Sequence, residues 1–285
     1  MVDMKILVWL TVFSLLLTGC SNHKNLFQKE ISLEPTEPVM AVMANVESGY
    51  ETYDNTMFGW GLKKNVNAPP DIPDSIRDMM NETHSIYLGS EPKTLYLTFD
   101  EGYENGYTAQ ILDVLKANDV PAAFFVTAPY LEKEEELVRR MFDEGHIVGN
   151  HTVHHPSLPQ LESTEEVKQE ITELSRMCQE KYGEDMHFFR PPRGEYSRRT
   201  LQIAEDLGYT NVFWSFAYKD WDVKNQKGTD YAYEQIKKGV HDGAVLLLHA
   251  VSKDNADVLD RVIKDLKSEG YRFMSLDSFR SPWNS

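Results

Sequence analysis

At 285 residues the chain can hold one large α/β domain or two ordinary ones. Its 41% hydrophobic and 11% aromatic content, with five tryptophans, supports a packed core and excludes a disordered chain. The net charge of −16 excludes a general nucleic-acid binder, which needs a basic face, and requires that any anionic substrate meet a local cation.

Residues 6–18 form an apolar run behind Lys5, the length of a signal-peptide core and short for a bilayer span. The run ends in Leu17-Thr18-Gly19-Cys20, which resembles a bacterial lipobox. Residues 1–19 are therefore expected to be a lipoprotein signal peptide, with Met4-Lys5 a more usual start than Met1 and Asp3. The signal peptide would export the protein, and acyl groups on Cys20 would anchor it on the outer face of the bacterial cytoplasmic membrane. Residues 20–57, polar and acidic with Pro35 and Pro38, read as a tether. Residues 58–92 begin with the aromatic, glycine-bearing stretch from Phe58 to Asn65 and continue through Pro69, Pro70 and Pro73. That composition predicts an extended strap packed on the domain that fills 93–285.

From Lys93 onward, strands and helices alternate. Apolar runs predict strands over 95–99, 122–126, 146–148, 187–189, 212–216, 245–248 and 272–276. Helical patterns lie between them over 106–118, 134–144, 163–182, 197–207, 231–240 and 255–269. The third helix opens on Ser163-Thr164-Glu165-Glu166, a capping box, and carries Cys178 as a small buried residue. Seven strands alternating with helices predict an α/β fold with a parallel sheet closed as a barrel.

Groups capable of chemistry follow nearly every strand. The first strand runs into Asp100 and Glu101, carboxylates at the strand end where α/β proteins place catalytic groups. After the third come His151, His154 and His155; one helical turn would set His151 and His155 on the same side of one ion. The fourth is followed by Arg190-Pro191-Pro192-Arg193, the prolines stiffening a loop that holds two guanidiniums. Asp220 and Trp221 follow the fifth strand, and the sixth ends in Leu246-Leu247-Leu248-His249. One edge of the sheet is thus an active site.

These motifs, over about 93–277, resemble the polysaccharide deacetylases, the NodB-type carbohydrate esterases of family 4, whose fold is a distorted (β/α) barrel of about seven strands. The strap from Phe58, the run Thr98-Phe99-Asp100-Glu101-Gly102-Tyr103-Glu104-Asn105-Gly106, Arg190 to Gly194 and Asn225-Gln226-Lys227-Gly228 look like the δ-lactam-biosynthetic de-N-acetylases, which act on muramic acid of peptidoglycan during spore cortex formation. The resemblance implies that Asp100 is the general base and that His249 is the acid that protonates the departing amine. Arg190 would hold Asp100 and Asp220 would hold His249. His151 and His155 would bind one divalent ion, zinc above cobalt or manganese, to polarise the amide carbonyl with a backbone amide near Arg193. Trp221 and Leu247 would line the pocket for the acetyl methyl, and Tyr103 would contact substrate. Glu101 departs from the family, which has aspartate there as third metal ligand; a looser site, a different preferred ion, or an ion held mainly by the two histidines would follow. Arg193 is expected to read the lactyl carboxylate of peptide-free muramic acid, with pairing to Glu195 as the competing role. Expected partners are peptidoglycan strands and, through the lipid anchor, the membrane; the expected state is a monomer. Deacetylation of glucosamine in peptidoglycan or an exopolysaccharide, and inactive glycan binding, are the alternative functions.

Overall fold

Strand β2 (Thr94–Glu101) lies at the centre of the sheet, and its alternation explains how both faces are covered. Leu95, Leu97 and Phe99 enter the large core shared with the helices, while Tyr96 enters a second cluster with Phe125 and Val245 on the opposite face. Our computed structural model describes residues 49–280. In it the strands run in the order β7 (Thr210–Asn211), β5 (Phe188–Phe189), β4 (Ile147–Asn150), β3 (Ala122–Val126), β2, β9 (Ala244–His249) and β8 (Phe216–Ala217). Every pairing along this path is parallel, and β10 (Arg272–Phe273) runs parallel beside the start of β2. The expected α/β barrel with seven parallel strands is observed, as an open, curled sheet.

The sheet does not close between β7 and β8. Ile86 bridges Val212 and Leu88 bridges Ala244, so residues just before β2 span the opening. The backbones approach closely here: Gly89 N–H donates to the Gly243 carbonyl at 2.8 Å. Gly243 has φ +73°, and a Cβ there would lie 2.0 Å from the Gly89 oxygen, so only glycine fits.

This opening corrects one expected element. Residues 212–216 are not one strand; the chain leaves β7, crosses the gap and enters β8. The carbonyls of Val212 and Phe213 accept from the Arg190 side chain, and that of Trp214 accepts from Trp60 Nε1 at 2.7 Å. An apolar run reads as a strand, but here side chains take the carbonyls a ladder would use, while the N–H groups of Val212, Phe213 and Ser215 bond to neighbouring backbone.

The helices lie where the periodicity predicts, at Thr108–Ala117, Glu135–Asp143, Thr164–Tyr182, Arg198–Asp206, Thr229–Gly239 and Lys253–Ser268. Ser163 and Glu166 form the capping box of the third of these, and Cys178 is buried within it. The strap differs from expectation in containing a helix, Asp74–Glu82, which places Met79 and Met80 against Trp60, Tyr87, Tyr196 and Phe213. Strand β1 (Phe58–Gly59) pairs antiparallel with β6 (Glu195–Tyr196). The acidic tether also ends earlier than residue 57: Tyr50 is buried and donates to Asp206 at 2.8 Å, and Asp54 accepts from Arg199 N–H. The expected signal segment and Cys20 lie outside the described residues.

Candidate active site

Sheet register brings the first pair together. Asp100 aligns with His249 on β9, so both side chains emerge at the same level and on the same face. Asp100 Oδ1 accepts from Arg190 Nη1 at 2.6 Å, and the guanidinium is fully buried, 4.1 Å from the Phe125 ring centroid. Its remaining bonds, to the carbonyls of Val212 and Phe213, fix it in place. Burial pushes the Asp100 carboxyl up, but Arg190, His151 and His249 outweigh that and hold it below the ordinary carboxylate value. It is an ionised, oriented carboxylate with Oδ2 left over.

His151 and His155 meet as expected, with ring centroids 4.8 Å apart, though not on a helix. Thr152 and His155 both have positive φ, +68° and +58°, so a tight loop turns the second imidazole back on the first. Asn150 anchors that loop, its Oδ1 accepting from Thr152 N–H at 2.9 Å and its Nδ2 donating to the Ile171 carbonyl at 2.7 Å. His154 is turned away to Glu170 at 2.7 Å. His151 Nδ1–H donates to the Arg190 carbonyl at 2.8 Å, which leaves Nε2 as a bare lone pair 3.5 Å from Asp100 Oδ2. Desolvation lowers both imidazoles, His155 to about 4, so both are neutral at pH 7.

This donor set fits a divalent ion. Two neutral imidazoles with ring centroids 4.8 Å apart, one of them presenting a bare Nε2, are the donor type a divalent ion takes. Among the described residues no three His, Cys, Asp or Glu side chains are already drawn up as a metal cluster, so the fit rests on the two imidazoles, with Asp100 Oδ2 close enough to meet a water beside the ion.

Glu101 corrects the expected ligand set. Strand alternation sends it to the face opposite Asp100, with Phe99, where it is fully buried beside Glu104 and Tyr130. Among the described residues neither carboxyl oxygen has a hydrogen-bond partner, and burial pushes the group well above the ordinary carboxylate value. It does not line the cleft. A spare methylene cannot carry a side chain through its own sheet.

On the other side, Asp220 Oδ1 accepts from His249 Nδ1–H at 2.7 Å and Oδ2 from the His249 backbone N–H at 2.9 Å, which points Nε2 at the cleft. Burial lowers the His249 imidazolium, but Asp220 and Asp100 more than compensate and raise it above the ordinary value. Asn255 Nδ2 donates to Asp220 at 2.6 Å, and Tyr218 donates to Asn255. Sequence reading missed these two supporting residues; the cue was Ser252-Lys253-Asp254-Asn255 opening a helix right after His249.

These groups share a cleft of about 870 Å³. Trp221 stands 5.5 Å from the His249 ring, Leu247 lies below, and Tyr103 is exposed at the rim. Arg193, at φ +59°, forms part of the wall, with Nη2 3.4 Å from the His155 carbonyl and Nη1 4.0 Å from Glu195. The strap contributes Trp60, Gly61, Leu62 and Lys64, which reading the strap as mere packing had missed.

The Polysaccharide deacetylase family model matches residues 88–212. Over 80% of its length the chain is 44% identical to Peptidoglycan-N-acetylmuramic acid deacetylase PdaA of Bacillus subtilis, covering 87% of that protein. The solved structure of Bacillus subtilis PdaA, a family 4 carbohydrate esterase, superposes with a TM-score of 0.77 at 43% identity, over 79% of this chain and 97% of that one. Identity to Peptidoglycan-N-acetylglucosamine deacetylase PgdA of Listeria monocytogenes is 31%, over 73% of this chain and 46% of that protein.

Proposed function

The chain belongs to the polysaccharide deacetylases of carbohydrate esterase family 4, hydrolases of amide bonds, and on that premise we propose that it removes the acetyl group from N-acetylmuramic acid in peptidoglycan. The observation that carries the chemistry is the in-register pair Asp100 and His249, one held ionised by Arg190 and the other oriented by Asp220, which raises its pKa. The greater likeness to the muramic acid enzyme than to the glucosamine enzyme supports the choice of sugar.

Asp100 takes a proton from water as the water oxygen bonds to the acetyl carbon. His249 gives its Nε2 proton to the sugar nitrogen as the C–N bond breaks, releasing acetate and a free amine. Trp221 and Leu247 enclose the methyl, and Tyr103 supports the glycan at the rim. A divalent ion would be held by His151 and His155, zinc by the chemistry of these donors, and would supply a Lewis acid at the acetyl carbonyl, leaving Asp100 Oδ2 free to take the proton. The product amine and the 3-O-lactyl carboxyl lie on one sugar, so their condensation with loss of water gives a six-membered δ-lactam, the product class of this reading. Cys20, in its lipobox, anchors the enzyme outside the cytoplasmic membrane, next to this substrate; loss of membrane retention in Cys20→Ser is the expected outcome.

The test is acetate release from peptidoglycan with and without stem peptides, followed by mass spectrometry of the muropeptides. Deacetylated muramic acid is expected; acetate from glucosamine alone would refute the sugar assignment. A His151→Ala, His155→Ala double variant should lose ion affinity in chelator competition, and unchanged affinity would remove these residues from the ion site.

A further inference from the structure

Three cations line the cleft without a part in the chemistry: Lys219, Arg193 and Lys64. Lys219 is paired with Asp222 at 3.2 Å. Arg193 is shared between the His155 carbonyl and Glu195. Lys64 differs: among the described residues no carboxylate lies within ion-pair distance of its ammonium. Its Nζ lies instead over two aromatic rings, 5.4 Å from the Phe216 centroid and 5.9 Å from that of Tyr218.

Lys64 is also held in place. Its strap is paired to β6 through β1, Trp60 N–H donates to the Gly194 carbonyl at 2.8 Å, and Trp60 Nε1 donates to the Trp214 carbonyl. The Trp60 ring packs 4.5 Å from that of Phe213. The ammonium therefore projects from a fixed support on the side of the cleft that holds Tyr218, Asp220 and His249. A compact point charge over apolar rings is poorly hydrated on one side and accepts an anion in place of water. On a molecule carrying −16, such a cation is what lets an anionic sugar approach.

We propose that Lys64 is a specificity-determining residue that binds the carboxylate of the 3-O-lactyl group of peptide-free muramic acid, an inference that rests on the muramic acid reading above. We assign that carboxylate to Lys64 rather than to Arg193 because Arg193 already has a carboxylate, Glu195, 4.0 Å away, whereas Lys64 has none within ion-pair distance among the described residues. A stem peptide converts the lactyl carboxylate into an amide and removes the charge Lys64 recognises.

The experiment compares a muramic-acid glycan oligomer carrying the free lactyl acid with the same oligomer converted to its methyl amide. In the parent, kcat/KM should favour the acid. Lys64→Met keeps the stem over the rings and should shrink that preference about 10- to 100-fold, mostly through KM, the range for a charged hydrogen bond. Lys64→Arg should keep most of it, and so should Arg193→Gln. Lys64→Gln serves if the methionine variant fails to fold. A preference that survives both neutral Lys64 variants, or that vanishes only in Arg193→Gln, overturns the proposal. Calorimetric titration of both oligomers separates this from the parent reading, because it needs no turnover. If the parent deacetylates neither oligomer the muramic acid reading fails, and equal affinity for acid and amide then overturns the Lys64 assignment as well.

Discussion

Asp100 and His249 sit level on adjoining strands, each held by a buried partner that leaves one reactive atom facing the cleft. Replacing either as Asp100→Asn or His249→Ala should lower turnover by about 100- to 10,000-fold, the usual contribution of a general acid or base. Circular dichroism should show the fold intact, since neither side chain fills the core. The His249 imidazolium must be present to protonate the amine, and its pKa is raised from 6.5 because Asp220 and Asp100 outweigh burial. The alkaline limb of kcat/KM should therefore lie above that value, and Asp220→Asn, which removes the attraction, should move the limb to lower pH. A limb that stays put would assign it to another group. Glu101 gives the opposite test. Its oxygens are buried on the far face of β2 with no partner among the described residues. Glu101→Leu is expected to raise stability by about 1–3 kcal/mol, the cost of a buried unsatisfied polar group, and to leave ion affinity in chelator competition unchanged. Weakened affinity would restore Glu101 as a ligand.

Among the elements, the strap does more than cover the domain. It spans the opening in the sheet, fills a second core with Trp60, and brings Lys64 to the cleft. Trp60 is buried against Tyr87, Tyr196 and Phe213, and its indole N–H satisfies the Trp214 carbonyl in the crossing segment. Trp60→Ala should cost about 3–5 kcal/mol in chemical denaturation, the range for a large buried aromatic. A loss below about 1 kcal/mol would mean the strap is not integral to the fold. The same crossing segment holds Arg190 through its carbonyls, so the variant should also lose activity.

At the scale of the whole molecule, strap, sheet and helices should unfold together. The cluster around Trp60 includes Phe213 beside β7 and Leu201 on the Arg198–Asp206 helix, so it cannot melt without exposing the sheet edge. Tryptophan fluorescence and far-ultraviolet circular dichroism should give coincident denaturation curves. An earlier fluorescence transition would mark the strap as a separate unit.

The sequence by itself determined the alternation of strands and helices, because periods of 2 and 3.6 are local properties of burial. It also placed Asp100, His151, His155, Arg190, Asp220 and His249 on one edge, because side chains that follow parallel strands must share that edge. The capping box at Ser163 was legible for the same local reason. Tertiary structure alone decided the rest. Glu101 faces the core because the pleat leaves an adjacent residue no choice of face once Asp100 is committed to the cleft. Residues 212–216 cross a gap because their carbonyls bond to Arg190 and Trp60, partners that lie 22 and 154 positions away along the chain. Lys64 reads as an ordinary surface lysine until the strap is seen to end at the cleft, a consequence of pairing between β1 and β6 that no local pattern encodes.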